Sequence, residues 1–213
     1  MITDEYLKSL ISDDVKEVKR LIVDKKFDFQ ELLYFRNLED IRIVGLELDI
    51  LEMAVLSKMA SLKSIYFIDC NIENIGLLSP LDIDTLYLEN CSVDSIEEIN
   101  AILNIKNLYL EDMGTIDLDD IPVIRILENL SFTNTKLKNE SKLILMDRII
   151  ALDLVNTGIS TIDMLIGSDT LKTLVIDENI YSNNREVVKY LKEKNVLVVN
   201  DMNQDVESYY GDI

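Results

Sequence analysis

The sequence contains no histidine and no tryptophan, and only two cysteines, two prolines and six glycines among its 213 residues. Without histidine, the usual acid–base and nucleophile-activating chemistry has only carboxylates to use. The sequence also lacks a glycine-rich phosphate loop, a zinc spacing and a calcium loop, so neither a cofactor nor a metal is expected. These gaps argue against an enzyme and favour a binding or structural protein.

Basic residues are scarce as well: 21 Lys and Arg stand against 40 Asp and Glu, for a net charge of −19. From Ser64 to Ile124 there are thirteen acidic residues and a single base, Lys106. This balance disfavours nucleic acid and anionic membrane surfaces as partners, since both attract Lys and Arg. It indicates either a solvated acidic shell that maintains solubility or a field that steers a basic partner protein.

Long apolar runs are missing too. No run approaches the roughly 18 residues of a membrane span. The start, Met1 to Glu5, has neither the basic nor the apolar region of a secretion signal. A cytoplasmic location is therefore expected.

What the sequence does contain is a repeat. A short stretch with two alternating apolar residues occurs eight times, at steps of 24 and 21 residues and then at a constant step of 22. Such alternation is typical of a strand with one buried face, and strands in phase predict a solenoid whose units bury their apolar faces against each other. The apolar pairs are Ile41/Ile43, Ile65/Phe67, Leu86/Leu88, Leu108/Leu110, Leu130/Phe132, Leu152/Leu154, Leu174/Ile176 and Val196/Val198.

One repeat follows a known consensus closely. Its apolar positions are Leu62, Ile65, Phe67, Cys70, Ile72, Ile75, Leu78 and Leu81. This stretch resembles the 22-residue class of leucine-rich repeat proteins, LxxLxLxxNxIxxIxxLxxL, and the resemblance covers about residues 38–199. It implies an α/β fold, a right-handed solenoid with a curved parallel sheet of about eight strands, and recognition of another protein on the concave sheet face.

The ends of the chain are expected to cap this solenoid, because a terminal repeat would otherwise expose its apolar cross-section. Apolar residues at helical spacing over residues 4–24 predict a helical N-terminal cap, and Asp28 with Glu31 predicts a capping box for a second short helix. Near the other end, Asn183 opens a predicted helix. We therefore expect one continuous domain with a cap (1–37), a repeat region (38–199) and a loose acidic tail (200–213).

Two departures from the consensus stand out. In the fourth repeat Ile116 comes one residue late, which predicts an irregular turn near Gly114. The buried Asn of the family occurs only as Asn179 and is otherwise replaced by Cys70, Cys91, Met113, Thr135 and Thr157. The two cysteines occupy equivalent inward positions with parallel side chains, which is a poor disulfide geometry, so buried free thiols are expected.

Tyrosines occupy the centre of three successive predicted strands. A residue between the two apolar positions points to the concave face, so Tyr66, Tyr87 and Tyr109 should lie side by side about 5 Å apart. Tyrosine offers a large contact area at low entropic cost, which favours a binding surface. The alternative is that these residues only cover the sheet by mutual packing. The predicted partner-binding residues are Arg42, Tyr66, Tyr87, Glu89, Tyr109, Glu111 and Asp153.

A second set of polar residues directly follows the predicted strands. These residues are candidates for a flank that enlarges the interface beyond the narrow sheet face. The alternative is that they are turn residues selected for backbone conformation. They are Asp69, Asn90, Asp112, Asn134, Asn156 and Glu178.

The main functional prediction is a protein-interaction module that binds a partner protein, favouring one with a basic surface, on the concave face. The alternative is an acidic inhibitor or immunity-type protein that occupies the basic site of a target enzyme such as a nuclease. A structural spacer, in which the tyrosines are incidental, is a third reading.

Overall fold

Parallel strands built from the predicted alternating stretches form the core of the fold. The computed structural model describes residues 2–10, 14–121, 126–145 and 148–210. The chain divides into two compact units, Met1–Ile105 (the first unit) and Lys106–Ile213 (the second unit).

In the first unit, four strands pair in parallel in the order β1-β2-β4-β6, and the short strands β3, β5 and β7 pair in the same way. Apolar residues at alternate positions, such as Ile41, Ile65 and Leu86, are fully buried, as expected for strands with one inward face. The elements are α1 (Glu5–Leu10), β1 (Arg20–Val23), β2 (Asp40–Val44), β3 (Glu47–Leu48), α2 (Ile50–Leu56), β4 (Ser64–Ile68), β5 (Asn71–Ile72), β6 (Thr85–Glu89) and β7 (Ser92–Val93), with 3₁₀ helices at Val15–Glu17, Phe29–Tyr34, Ile75–Leu78 and Ile96–Ala101.

In the second unit, five strands pair in parallel in the order β8-β10-β12-β13-β14, and β9 pairs with β11. The elements are β8 (Asn107–Glu111), β9 (Thr115–Asp117), β10 (Asn129–Ser131), β11 (Lys136–Lys138), β12 (Ala151–Asp153), β13 (Thr173–Val175), α3 (Glu178–Asn183), α4 (Arg185–Glu193), β14 (Leu197–Val199) and α5 (Val206–Tyr210), with 3₁₀ helices at Glu140–Leu145 and Asp163–Gly167. The described residues thus contain one more strand of the repeating kind than the sequence predicted.

The additional strand is β1, where the helical spacing over residues 4–24 was misleading. A helix is present, but it covers only Glu5–Leu10, and Arg20–Val23 form a strand that pairs with β2. Leu21 and Val23 are buried while Arg20 and Ile22 are exposed, which is the alternation of a strand. The run Leu21-Ile22-Val23 favours a strand because two of its residues are β-branched.

The predicted capping box at Asp28 forms only in part. The Asp28 side chain accepts a hydrogen bond from the Gln30 backbone N–H, as an N-cap residue does. The Glu31 carboxylate turns away and instead accepts bonds from the backbone N–H groups of Thr3 and Asp4 and from the Thr3 hydroxyl. Glu31 therefore ties the first residues of the chain to this segment.

The C-terminal residues are more ordered than the expected loose tail. Residues 200–210 form a turn and the helix α5, in which Val206 is fully buried, and Tyr210 lies with its ring centre 5.8 Å from that of Tyr181. Lys192 of α4 pairs with Asp205 and Glu207, at 2.8 and 2.6 Å. The predicted tail residues 211–213 lie outside the described residues.

Two alignments near the C-terminus also differ from the prediction. Leu174 lies opposite Val198 rather than Val196, so the last step of the repeat is two residues longer than expected. The helix expected to open at Asn183 is α4, which begins slightly later, at Arg185, and an additional helix, α3, precedes it and ends at Asn183. The apolar residues predicted for this helix, including Val188 and Leu191, are buried.

Candidate interaction surface

The first unit brings four of the predicted binding residues together on the exposed side of its sheet. Arg42, Tyr66 and Tyr87 lie directly opposite one another on β2, β4 and β6. The rings of Tyr66 and Tyr87 are 5.8 Å apart between centroids and inclined by 43°, and the Arg42 guanidinium lies 5.4 Å from the Tyr66 centroid. The Tyr87 hydroxyl donates a 2.9 Å hydrogen bond to the Glu89 carboxylate. We call Arg42, Tyr66, Tyr87 and Glu89 the aromatic patch.

The row that contains the aromatic patch begins one strand earlier than the sequence suggested. Ile22 of β1 lies opposite Arg42, and 57% of its surface is exposed. Ile22 was not predicted on this face because the helical spacing of residues 4–24 includes it. The β-branched residues Ile22 and Val23 were the available signal for a strand.

The second unit holds the remaining predicted residues in a more polar setting. The Ser131 hydroxyl donates to the Glu111 carboxylate at 2.9 Å and lies 3.1 Å from the Thr133 hydroxyl. Ser131 stands between Tyr109 and Asp153 in the strand register. We call Glu111, Ser131, Thr133 and Asp153 the acidic patch.

Asp153 is the titratable group most affected by this setting. Its partial burial raises the pKa of its carboxyl above the ordinary range, and the neighbouring charges of Glu111 and Asp201 act in the same direction. Hydrogen bonds from the Val155 N–H (2.9 Å) and the Thr133 side chain oppose this increase in part. The carboxylate would be stabilised by a nearby cation, because a positive charge favours the ionised form.

Comparison with known proteins bears on the fold. No protein-family model and no curated protein matches this chain. Solved structures do match: an internalin (InlF) from Listeria monocytogenes has a TM-score of 0.65 at 20% identity, covering 87% of this chain and 54% of its own. A leucine-rich repeat protein from Leptospira interrogans has a TM-score of 0.65 at 16% identity, covering 91% and 56%. Internalin C2 from L. monocytogenes has a TM-score of 0.50 at 20% identity, covering 73% and 71%.

The chain has the leucine-rich repeat fold. This agreement confirms the resemblance inferred from the 22-residue step. The leucine-rich repeat chain spans just over half the length of the first two of these proteins. At such identities the likeness concerns the fold and leaves the partner to be argued from this chain's own residues.

At the position of the consensus Asn, this leucine-rich repeat chain uses other side chains for the same hydrogen bonds. The Thr135 hydroxyl donates to the Leu110 carbonyl at 2.8 Å and accepts from the Met113 N–H at 3.0 Å. The Cys91 thiol makes the corresponding contacts, donating to the Phe67 carbonyl and accepting from the Cys70 N–H, at 3.3 and 3.4 Å. The predicted consensus residue Asn179 is instead exposed in α3.

The two cysteines are free thiols, as expected, although only Cys70 is fully buried and Cys91 is partly exposed. Their mutual hydrogen bond lowers the pKa of Cys70 and raises that of Cys91, because one thiol stabilises the other's thiolate. The pair therefore releases one proton more readily than two.

The polar residues that follow the strands form left-handed turns. Asp69, Asn90, Asp112, Asn134 and Asn156 all have φ between 49° and 58°, and Gly45 occupies the same position with φ 67°. Asp and Asn tolerate this conformation better than most residues, so the turn explains their presence. Glu178 differs, since it begins α3. The irregular turn in the fourth repeat contains Gly114 at φ 74°.

Neighbouring residues of this left-handed set also form hydrogen bonds with each other. Asn90 donates to Asp69 at 2.6 Å in the first unit, and Asn156 donates to Asn134 at 2.9 Å in the second. These bonds indicate a structural role for the left-handed residues in addition to their turn geometry.

Neither a metal site nor a membrane-spanning helix is found in the described ranges. No group of three or more His, Cys, Asp or Glu there is arranged to hold a metal ion. No helix in the same ranges is long and apolar enough to cross a membrane.

Proposed function

We propose that this leucine-rich repeat chain is a protein-interaction module that binds a partner protein through the aromatic patch. The proposal is carried by the contact between Tyr66 and Tyr87, two half-exposed rings 5.8 Å apart on one sheet face. Aromatic side chains held by a rigid sheet lose little entropy on binding, and tyrosine concentrates at the energetic centres of interfaces.

Charge defines the partner more closely. Arg42 already lies over the Tyr66 ring, so a basic residue of the partner is directed to the other end of the patch, where Glu89 lies. One Glu89 oxygen accepts the Tyr87 hydroxyl, and a carboxylate has further lone pairs for a Lys or Arg. The net charge of −19 would favour approach of such a basic partner.

The size of the patch sets a further requirement. The four strands of the first unit span about 20 Å at about 5 Å per strand, and three residues of a strand cover about 10 Å. The resulting area of about 200 Å² is well below the roughly 800 Å² per partner of a standard interface. The aromatic patch would thus anchor a larger contact that also includes surface outside these strands.

Affinity capture from the source organism's lysate tests the proposal. The baits are the wild type, the double variant Tyr66→Ala/Tyr87→Ala, and Tyr34→Ala as a matched control, because Tyr34 is an exposed tyrosine outside the patch. A partner retained by the wild type and by Tyr34→Ala but lost with the double variant is the expected result. The same proteins on all three baits would contradict the proposal.

Salt dependence separates the main function from the inhibitor hypothesis. Capture is therefore repeated at low and moderate salt. Anchoring by tyrosines, with Glu89 as one charged contact, predicts a weaker dependence on salt than blocking of a basic enzyme site, which predicts strong dependence and a single enzymatic target.

A further inference from the structure

Among the described residues, one edge of the strand β1 has no strand partner. In a parallel pair, alternate residues of a strand direct both backbone groups to the same neighbour. The Lys19 carbonyl accepts the Asp40 N–H at 3.0 Å, so Lys19, Leu21 and Val23 face β2. The N–H and C=O groups of Arg20 and Ile22 consequently point away from β2.

The contacts on this outer edge are confined to the end of the strand. There the Tyr6 hydroxyl accepts the Asp24 N–H at 2.8 Å and donates to the Asp24 carboxylate at 2.7 Å. Among the described residues, β2 is the only strand that pairs with β1. Two donors and two acceptors at Arg20 and Ile22 are therefore directed outward, next to a side chain of Ile22 that is more than half exposed.

The edge of the last strand, β14, is contacted by the turn that follows it. The turn that follows it folds back, so that Val199 forms an antiparallel bridge with Asp205 and the Asn200 N–H donates to the Gln204 carbonyl at 2.9 Å. An exposed strand edge is a template for pairing with another chain, and proteins usually cover it. The turn thus covers one end of the edge of β14, whereas the described residues form no backbone bond to the outward groups of Arg20 and Ile22.

The segment that contains β1 carries a charge opposite to that of the chain as a whole, and three of its bases pair with acids of neighbouring segments, Lys19 with Glu39, Arg20 with Asp40 and Lys26 with Glu52. Residues 19–26 contain four bases and one acid, in a protein with a net charge of −19. The side chain of Arg20 is 85% exposed and bonds Asp40 through its Nε atom alone, at 2.9 Å. A guanidinium has five N–H donors, so Arg20 can bind a second carboxylate.

A hollow lies beside the strand on its exposed face. Its volume is about 360 Å³, and its lining includes Arg20, Ile22, Arg42 and Tyr66. Its lining comes from β1, β2 and β4, so it lies over the sheet face on the inner side of Ile22, and a side chain added at the outer edge would extend this face beyond Ile22.

From this geometry we infer that β1 is a docking edge for an extended acidic strand of a partner protein. The strand would pair with the outward groups of Arg20 and Ile22, place an Asp or Glu beside Arg20, and place an aliphatic side chain beside Ile22. A second copy of this chain is a poor occupant, because it would bring two basic edges together. The inference is independent of the aromatic patch, which binds through side chains on the sheet face.

An NMR titration of the full chain with a designed peptide tests this inference. The probe is acetyl-Thr-Glu-Thr-Val-Thr-Glu-Thr-amide, which reads the same in both directions and so fits a parallel or an antiparallel pairing. We expect shift changes centred on residues 19–24 and slower hydrogen exchange of the Arg20 and Ile22 amides. The control is the same peptide N-methylated at its three central residues, which should bind at least about tenfold more weakly because its hydrogen bonds are lost.

Several results would overturn the inference. Equal binding of the N-methylated peptide would show that charge alone attracts the probe. Slow exchange of the Arg20 and Ile22 amides in the free protein would show that the edge is already covered. Formation of a dimer by the free chain through β1 would identify a second copy as the occupant.

Variants of the strand provide an independent arm. Ile22→Pro removes an outward N–H without removing a bond to β2 and should abolish peptide binding, whereas Ile22→Val should retain it. Should Ile22→Pro fail to fold, Arg20→Glu serves instead. That variant should lose the Glu-containing peptide and gain the counterpart in which Lys replaces each Glu; unchanged preference would contradict the proposed pairing.

Discussion

The hydroxyl of Tyr87 donates a 2.9 Å hydrogen bond to the carboxylate of Glu89, two residues further along the same strand. This bond holds the charge at one end of the aromatic patch. Because both side chains are half-exposed, its contribution to folding is modest, about 1 kcal/mol or less. Its main consequence concerns how the patch meets a partner.

Substitutions of Tyr87 and Glu89 separate the contribution of the ring to binding from that of the charge. Tyr87→Phe keeps the ring and the Glu89 charge and removes only the bond between them, so binding of the captured partner should change by no more than about threefold. Glu89→Gln removes the charge and should weaken binding more at low salt than at high salt. Calorimetric titration at two salt concentrations measures both effects. A larger loss with Tyr87→Phe than with Tyr87→Ala would contradict the proposed role of the ring.

The raised pKa of Asp153 predicts a contribution to stability that increases as the pH decreases. Its pKa is raised by burial in the folded chain, so folding favours the protonated carboxyl, and this contribution is lost as the pH rises through the folded-state pKa. Asp153→Asn should therefore raise the melting temperature at pH 7, and the difference from wild type should vanish below the pKa of an unfolded aspartate. Thermal unfolding between pH 3 and pH 7 (about the range of the transition) measures this. Asp163→Asn, at an exposed position, is the control and should have no such pH dependence.

The lowered pKa of Glu31 predicts the opposite pH dependence of stability. The Thr3 hydroxyl and the Thr3 and Asp4 N–H groups lower the pKa of Glu31, with Thr3 the largest cause. Its contribution to stability is present above the pKa of an unfolded glutamate and is lost as the pH falls through the folded-state pKa. Glu31→Gln should lower the melting temperature at pH 7 and approach the wild type in acid. An equal effect of the exposed control Glu97→Gln would exclude the bonds to Thr3 and Asp4 as the cause.

Substitution of Thr135 tests the internal hydrogen bonds that replace those of the consensus Asn. The side chain is fully buried and bonds both the Leu110 carbonyl and the Met113 N–H. Thr135→Val keeps the shape but leaves both backbone groups unsatisfied, which should cost about 1–3 kcal/mol. Thr135→Ser keeps the hydroxyl and should cost less. Urea unfolding at equilibrium gives both values, and equal losses would assign the effect to packing.

The strands that were predicted from the sequence are those that a local pattern of apolar residues identifies. Ile65 and Phe67, for example, alternate with exposed residues, and the same pattern returns after 21 and 22 residues, so independent observations agree. The row of tyrosines followed from the same alternation, since side chains on a strand point to opposite faces in turn.

The features that the sequence did not predict depend on distant partners. Leu21 and Ile22 fit the helical spacing of residues 4–24, whereas Leu21 and Val23 fit a strand, and pairing with β2 decides between the two patterns. The acidic composition after residue 200 concealed that Val206 and Tyr210 are buried. Likewise, the stacking of Arg42 on Tyr66 and the bond from Tyr87 to Glu89 depend on rotamers, which a pattern of residue types does not specify.

The left-handed residue that follows several of the strands has a consequence for the history of the gene. Asn134 and Asn156 share a φ of 58° and lie 22 residues apart, so removing the segment between them would join chain ends that already have the same backbone conformation. A duplication with the same boundaries would add a segment with compatible ends. Recombination in steps of whole repeats is therefore compatible with the fold.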